Sequence, residues 1–210
     1  MSVAEELEKR LHGGKFRLMN EKMYKKKALT KDEAKRYHEY YEEQVKRWPS
    51  DPKQAIIERI NNSNPYARIA DLGCGTAEMR KHFKNVSSFD KHPVDESIQQ
   101  AELDALPASD GEYDIAVCCL SLMMNYVSRV IRETNRILKI GGEFYLAEVR
   151  SRIVNTKTLI SNIEKFGYSL KEVDCSNTHF VILVFTKVSE YNSEKRMPEV
   201  KLKPCLYKKR

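Results

Sequence analysis

Short apolar runs alternate with amphipathic segments from Arg68 to Lys187, and this alternation predicts an α/β domain. Strands are expected at residues 68–72, 86–90, 170–174 and 180–187, and two more are expected to end at Cys119 and Glu148. The last two strands follow each other too closely for a crossover connection, so that pair must be antiparallel. The sheet is therefore expected to be parallel apart from a reversed last strand.

Helical segments precede and flank these strands. Helices are expected at residues 2–11, 30–48, 51–60, 77–84 and 155–166. The pair Gly13-Gly14, which follows His12, is expected to break the first helix, and Pro49 to end the second. A Gly-Gly turn at Gly141-Gly142 is expected before the strand that ends at Glu148.

An apolar stripe marks the second helix. Tyr37, Tyr41, Val45 and Trp48 recur at helical spacing, which predicts a face packed on the core. We therefore expect three parts: a helical N-terminal segment at 1–50, a core at 51–188, and a basic C-terminal tail at 189–210.

The stretch Arg68-Ile-Ala-Asp-Leu-Gly-Cys-Gly-Thr76 ends an apolar strand in a loop with two closely spaced glycines. Gly73 and Gly75 let the backbone turn sharply and approach a ligand without a Cβ in the way. The third glycine of a dinucleotide-binding loop is absent, since Glu78 stands in its place. This favours the D-x-G-x-G loop of enzymes that use S-adenosylmethionine (SAM), because SAM has no phosphate for a helix N-terminus to bind. An ordinary strand-to-helix turn is the alternative.

Two further carboxylates follow at predicted strand ends. Asp90 lies 17 residues after Gly73, where it can accept hydrogen bonds from both ribose hydroxyls. Asp104 lies just before a loop, where it would meet the adenine amino group. The order of these carboxylates predicts the Rossmann-like fold of class I methyltransferases: a mostly parallel seven-stranded sheet with an antiparallel last strand, here with a helical N-terminal segment.

Composition supports one α/β domain with a basic surface. The chain has 210 residues, of which 41% are hydrophobic, enough for one proper core with a modest extension. Its net charge is +7, and the excess lies outside the core: residues 1–60 hold 15 Lys/Arg against 11 Asp/Glu, 187–210 hold 8 against 3, and 61–186 hold 14 against 16. Basic flanks suit a polyanionic partner, with solubilising charge as the alternative.

Cysteine usage and the absence of long apolar runs predict a soluble intracellular protein. Five cysteines include no C-x-x-C pair and no histidine at zinc-ligand spacing, so we expect reduced thiols and no metal. Cys118 and Cys119 are expected to be small buried side chains rather than nucleophiles. We expect no leader peptide, and the longest apolar stretch, residues 115–124, is too short to span a bilayer.

Several strings along the chain resemble the eukaryotic ribosomal RNA-processing protein eight family, whose animal member is called nucleomethylin. The resemblance runs from Leu11 to the last residue. The matching strings are Leu11-His-Gly-Gly-Lys-Phe-Arg-Leu-Met-Asn-Glu-Lys-Met-Tyr24, Tyr37-His38, Val45-Lys-Arg-Trp-Pro49, Cys119-Leu-Ser-Leu-Met123, Asn135-Arg-Ile-Leu-Lys-Ile-Gly-Gly142, Ala147-Glu-Val-Arg-Ser-Arg152, Asn177-Thr-His-Phe180 and Lys203-Pro-Cys-Leu-Tyr-Lys-Lys-Arg210.

This resemblance implies a SAM-dependent methyltransferase that makes N1-methyladenosine in large-subunit ribosomal RNA (rRNA) in the nucleolus, with S-adenosylhomocysteine (SAH) as its product. We expect a monomer whose partner is rRNA or the pre-ribosome. By matching position, His38 would contact the methionine end of SAM, Gly73 would line it, and Asp90 would hold the ribose. Asp104 and the backbone of Ala105, where the family usually has methionine, would bind adenine, and Cys119 would lie along the cofactor.

Methyl transfer from a sulfonium requires alignment and exclusion of water rather than a covalent intermediate. N1 of adenine keeps a lone pair at neutral pH, so no strong base is required, but the base must be unpaired to expose it. No catalytic residue is assigned. Candidates for contact with the acceptor base are Phe16, Arg17, Tyr24, Asn125, Arg150, Asn177 and His179, and candidates for phosphate contact are Lys25–Lys27 and Lys208–Arg210, with packing, capping and solvation as the alternatives.

Two other functions stay open at the level of sequence. Leu106–Asp114 and Arg136–Gly142 are also typical of enzymes that methylate quinones or sterols, which would make this a small-molecule methyltransferase. Alternatively, the chain is a SAM-binding scaffold in ribosome assembly whose catalysis is dispensable.

Overall fold

Among the residues that the computed structural model describes, which are 3–24, 30–46, 48, 50–194 and 196–204, seven strands form one sheet. The strands are β1 (Ile69–Leu72), β2 (Val86–Asp90), β3 (Gln99–Gln100), β4 (Tyr113–Cys119), β5 (Leu138–Val149), β6 (Tyr168–Asp174) and β7 (Phe180–Lys187). Their order across the sheet is β3-β2-β1-β4-β5-β7-β6.

The strand directions confirm the predicted class I methyltransferase fold. Strands β1 to β5 pair in parallel, whereas β7 runs antiparallel to both β5 and β6. The chain proceeds outward from β1 to β3, then returns to the other side of β1 to form β4. This reversal leaves a crevice at the carboxyl ends of β1 and β4, where open α/β sheets bind ligands.

Five α-helices are found among the described residues: α1 (Val3–Tyr24), α2 (Lys31–Val45), α3 (Pro52–Ser63), α4 (Val127–Ile137) and α5 (Thr156–Glu164). Local sequence explains where three of them begin. Thr30 caps α2 through a reciprocal pair of hydrogen bonds with Glu33. Asp51 accepts from the Lys53 amide at 2.8 Å to cap α3, and Asn155 accepts from the Thr158 amide at 2.9 Å to cap α5.

The predicted break at Gly13-Gly14 is wrong, because α1 continues through both glycines to Tyr24. Each glycine costs the helix about 1 kcal/mol relative to alanine. Packing against α2 outweighs that cost: Phe16 is buried with its ring stacked 5.4 Å from that of Tyr37, and the Lys22 ammonium donates to Glu33 at 2.6 Å.

The helix predicted at residues 77–84 is also wrong, since the segment forms one 3₁₀ turn, Glu78–Lys81. Ala77 takes a left-handed conformation with φ of 53°, which prevents an α-helix from starting there. Met79 and Phe83 are both buried under the sheet, and β2 begins at Val86, so no residues remain for a further turn. The predicted turn at Gly141-Gly142 is absorbed into β5 as an irregularity in its pairing with β4.

The core has two layers, one on each face of the sheet. Helix α3 packs on one face through Ile56, Ile57 and Ile60, with Tyr41 and Trp48 against the same cluster, as the apolar stripe predicted. Helices α4 and α5 pack on the other face.

The segment expected as a C-terminal tail contributes to that second layer. Val200 and Leu202 are buried, and the Val200 amide donates to the Ser128 hydroxyl at 2.8 Å. Residues 205–210 lie outside the described part of the chain. No helix among the described residues is long and apolar enough to cross a membrane.

Candidate active site

A cavity of about 710 Å³ opens at the carboxyl ends of β1, β2 and β4. The loops that follow these strands form its floor, and α2 forms one wall through Tyr37, His38 and Tyr41. Five of the six residues predicted to bind the cofactor line it: His38, Gly73, Asp90, Asp104 and Cys119.

The glycine loop after β1 requires glycine for two reasons. Gly73 and Gly75 have φ values of 70° and 63°, a region that side-chain-bearing residues rarely adopt. A Cβ on Gly73 would also lie 2.3 Å from the Ser121 Cβ, and one on Gly75 would lie 3.4 Å from the His38 Nδ1 atom. The loop therefore brings bare backbone to the cavity wall.

Asp90 ties the glycine loop to the end of β2. Its Oδ2 atom accepts a hydrogen bond from the Gly75 amide at 3.0 Å, and Oδ1 accepts one from the His92 amide at 2.8 Å. A carboxylate offers about four lone-pair sites, so each oxygen keeps one for a ligand hydroxyl. This arrangement suits a ribose diol.

Asp104 lies in the cavity wall, and the guanidinium of Arg129 holds it in place. The Arg129 Nε atom lies 3.0 Å from Oδ2 of Asp104, while Oδ1 has no hydrogen-bond partner within the described residues and is available as an acceptor. Ala105 is exposed, does not line the cavity, and donates its amide to the Glu102 carbonyl at 3.0 Å. The structure therefore does not bring Ala105 together with the other five residues.

The imidazole and the thiols beside the loop are held in neutral forms. Burial lowers the pKa of His38, against the opposing pull of the Asp90 carboxylate, so the imidazole is neutral at pH 7. Burial raises the pKa of the Cys118 thiol to about 12, and that of Cys119 further still. Neither thiol is a thiolate near neutral pH, which argues against a cysteine nucleophile. Across the described part of the chain, no cluster of potential ligands could hold a metal ion.

Two buried polar atoms near the glycine loop have no hydrogen-bond partner among the described residues: the Ser121 hydroxyl and Oδ2 of Asp71. Ser121 lines the cavity opposite Gly73, and burial raises the pKa of Asp71 to about 6. Buried polar atoms usually have partners, so the Ser121 hydroxyl, which lines the cavity, is available to a bound polar ligand.

Together these residues fit SAM. The bare loop accommodates a close ligand, Asp90 suits the ribose, and the free oxygen of Asp104 suits the adenine amine. The unpaired Ser121 hydroxyl lies in the cavity lining beside Gly73, where the polar amino-acid end would go.

Sequence reasoning missed Lys53, which also lines the cavity. It lies in the first turn of α3, yet its residue is only 7% exposed, and its ammonium donates to the Cys74 carbonyl at 3.2 Å. A lysine in the first turn of a helix gives no sign in sequence that it points inward.

The residues expected to contact the acceptor base occupy other places. All seven lie in the described part of the chain, and none lines the cavity. Phe16 packs on Tyr37, the Tyr24 hydroxyl donates to the Leu202 carbonyl at 3.4 Å, and Asn177 bonds Ser50 at 2.6 Å. Arg17, Asn125, Arg150 and His179 are the other four. Residues that do line the cavity include Met23, Tyr41, Glu42, Val45, Lys46, Met123, Met124 and Tyr126. Lys25–Lys27 and Lys208–Arg210 lie outside the described residues.

Comparison with solved structures supports the fold. A SAM-dependent methyltransferase of Aquifex aeolicus superposes with a TM-score of 0.57, covering 77% of this chain and 100% of that one at 11% sequence identity. At this identity the similarity concerns the fold alone.

Sequence comparison gives the family. The family described as "Hypothetical methyltransferase" matches residues 2–210. Ribosomal RNA-processing protein 8 of Caenorhabditis elegans is 37% identical over 98% of this chain and 63% of its own length, so the chain spans less than two thirds of that relative. The 25S rRNA (adenine(645)-N(1))-methyltransferase of Schizosaccharomyces pombe is 31% identical over 100% of this chain and 73% of its own length. The chain therefore belongs to this methyltransferase family, together with the relatives named ribosomal RNA-processing protein 8.

Proposed function

We propose that the chain is a SAM-dependent methyltransferase that modifies N1 of an adenine in large-subunit rRNA. The observation that carries the proposal is the meeting of the Gly73–Gly75 loop with the Asp90 carboxylate in one cavity. The substrate is inferred from the Schizosaccharomyces pombe relative, whose name specifies adenine N1 of 25S rRNA.

Five residues would hold the cofactor. Asp90 would accept from the ribose hydroxyls, and the free oxygen of Asp104 from the adenine amine. Gly73 would admit the methionine half beside the neutral imidazole of His38, and Cys119 would provide an apolar contact along it. When bound, SAM supplies an electrophilic methyl group on a sulfonium.

The protein would act mainly by orienting the acceptor and excluding water. N1 of adenine needs no deprotonation before it attacks, which agrees with a cavity whose nearest histidine and thiols are neutral. Tyr41, Met123 and Met124 would pack on the base, because they offer aromatic and polarisable surfaces in the cavity lining. The base must be unpaired to enter.

We propose rRNA or the pre-ribosome as the partner and the nucleolus as the compartment, because large-subunit rRNA is made and processed there. The net charge of +7 suits such a polyanion. In this proposal the helices within residues 1–50 cover the cavity, and residues 51–188 form the catalytic core. Residues 189–210 add to that core and end in a basic sequence.

Transfer of a labelled methyl group to separate substrate pools tests the proposal. We would incubate the protein with tritiated SAM and, in parallel, large-subunit rRNA from cells that lack the gene, small-subunit rRNA, and a small-molecule extract. Label is expected in large-subunit rRNA alone and is expected to be lost with Asp90→Ala. Label confined to the small-molecule extract would instead support a small-molecule methyltransferase.

A further inference from the structure

Lys53 presents a buried positive charge to the cavity without an anion in contact with it. Its residue is 7% exposed, and no carboxylate in the described part of the chain lies within salt-bridge distance of its ammonium. One of the three ammonium hydrogens is used by the Cys74 carbonyl at 3.2 Å. Two donors therefore remain for a ligand.

The ammonium is nevertheless charged. Burial lowers the pKa of Lys53, but the negative field of Asp71 and its neighbours more than offsets that effect, so the net shift is upward. An isolated buried charge is costly, and proteins normally pair or neutralise it. A cationic lysine that lines a cavity with free donors is therefore suited to bind an anion there.

The position of Lys53 indicates which anion it would bind. It bonds the carbonyl of Cys74, the residue between the two loop glycines, and that loop is where the amino-acid end of the cofactor would lie. The buried Asp71, two residues before Gly73, does not line the cavity, but its negative field acts on Lys53. A lysine ammonium with two free donors matches the carboxylate of an amino acid, while the field of Asp71 favours its amine. A phosphate of RNA is the less suitable ligand, because the nucleic-acid backbone passes over a surface rather than through a site this buried.

We propose that Lys53 binds the α-carboxylate of the methionine half of SAM and SAH. This inference rests on the proposed function, since it requires that the cavity take that cofactor. It adds an ion pair to the hydroxyl and amine contacts made by Asp90 and Asp104.

Calorimetry on the unaltered protein gives the first test. SAH is compared with S-adenosyl-3-thiopropylamine, which keeps the adenosine, the sulfur and the amine but lacks the carboxylate. We expect the amine analogue to bind at least about tenfold more weakly, as for loss of a charge-assisted hydrogen bond. Equal binding of the two would overturn the role of Lys53 while leaving the proposed function intact. Failure to bind SAH at all would refute the proposed function itself.

Variants give the second test. Lys53→Met should weaken SAH at least about tenfold and leave the affinity for the amine analogue unchanged, which also reports that the adenosine site is folded. Lys46→Met is the matched control, because Lys46 also lines the cavity but is exposed and pairs with Glu43 at 3.1 Å. Its affinity for SAH should not change. The proposal would be contradicted if Lys53→Met lost affinity equally for SAH and the amine analogue. It would also be contradicted if Lys46→Met weakened SAH as much as Lys53→Met does.

Discussion

Gly73 and Ser121 lie so close across the cavity floor that a Cβ on the glycine would be 2.3 Å from the serine Cβ. The contact joins the loop after β1 to the loop after β4, the two strands between which the sheet order reverses. It limits the space left for a ligand, and the buried Ser121 hydroxyl has no hydrogen-bond partner among the described residues.

Gly73→Ala should therefore both destabilise the protein and abolish cofactor binding. The positive φ alone should cost about 1–2 kcal/mol, and the clash with Ser121 adds to it. Gly141→Ala is the matched control, since Gly141 has a φ of 82° but no atom within 4 Å of its would-be Cβ. Urea unfolding and SAH calorimetry are the measurements. Similar stability and binding in the two variants would show that the Ser121 contact has no consequence.

Asp90→Asn should weaken SAH binding about tenfold to a hundredfold, because an amide cannot accept on both sides as the carboxylate does with Gly75, His92 and ribose. Asp95→Asn is the control: Asp95 also accepts from a backbone amide two residues ahead, that of Ser97 at 2.8 Å, but is exposed. Calorimetry on both variants checks this. Equal loss in the two would indicate a general effect of disturbing this loop.

Arg152→Met should destabilise the protein by about 3–5 kcal/mol, because it leaves the buried Glu148 carboxylate without its partner. The Arg152 guanidinium also donates to the carbonyls of Leu122 and Lys203, both at 2.8 Å. Arg59→Met is the surface control: its partners are Glu172 at 2.8 Å and Asp174, and about 1 kcal/mol or less is expected.

The loss of folding stability in Arg152→Met should grow as pH rises. Burial raises the pKa of Glu148, and the positive charge of Arg152 opposes that shift. Removing Arg152 should therefore raise the pKa of Glu148 further. The folded variant then binds more protons than the unfolded chain above the ordinary glutamate pKa, and stability falls with increasing pH. Urea unfolding at pH 5 and pH 8 should show a larger deficit at pH 8. A deficit that is equal or smaller at pH 8 would contradict a buried, unpaired carboxylate.

The buried cysteines should resist thiol reagents. In a Cys175→Ser/Cys205→Ser variant, Cys74, Cys118 and Cys119 remain, all buried and all with raised pKa values. Native protein should react with a disulfide reagent only after denaturation. Rapid labelling of Cys119 in the native state, blocked by SAH, would instead reveal an accessible thiolate.

The sheet and the floor of the cavity could be predicted from sequence, because both follow from local patterns. Apolar runs end in Asp90 and in the two-glycine loop, and parallel strands bring their carboxyl ends to one edge. The reversed last strand followed from the short connection between β6 and β7.

The wall contributed by the helices could not be predicted in the same way. At Gly13-Gly14 the glycines favour a break in the helix, but the packing of Phe16 on α2 stabilises the helix by more. That packing is a tertiary contact and cannot be read from the sequence. Lys53 points into the cavity only because of the way α3 packs. The contact expected of Ala105 involves its backbone, so the identity of its side chain gives no evidence about it. These are tertiary effects that override propensity.

Mass spectrometry of nucleosides tests the central claim most directly. Large-subunit rRNA from cells that lack the gene is incubated with the protein and SAM that carries a deuterated methyl group, then digested at neutral pH. The account predicts 1-methyladenosine with the added mass of the label, and none with Asp90→Ala. Label on any other nucleoside, or unmodified rRNA despite measured SAH binding, would contradict it.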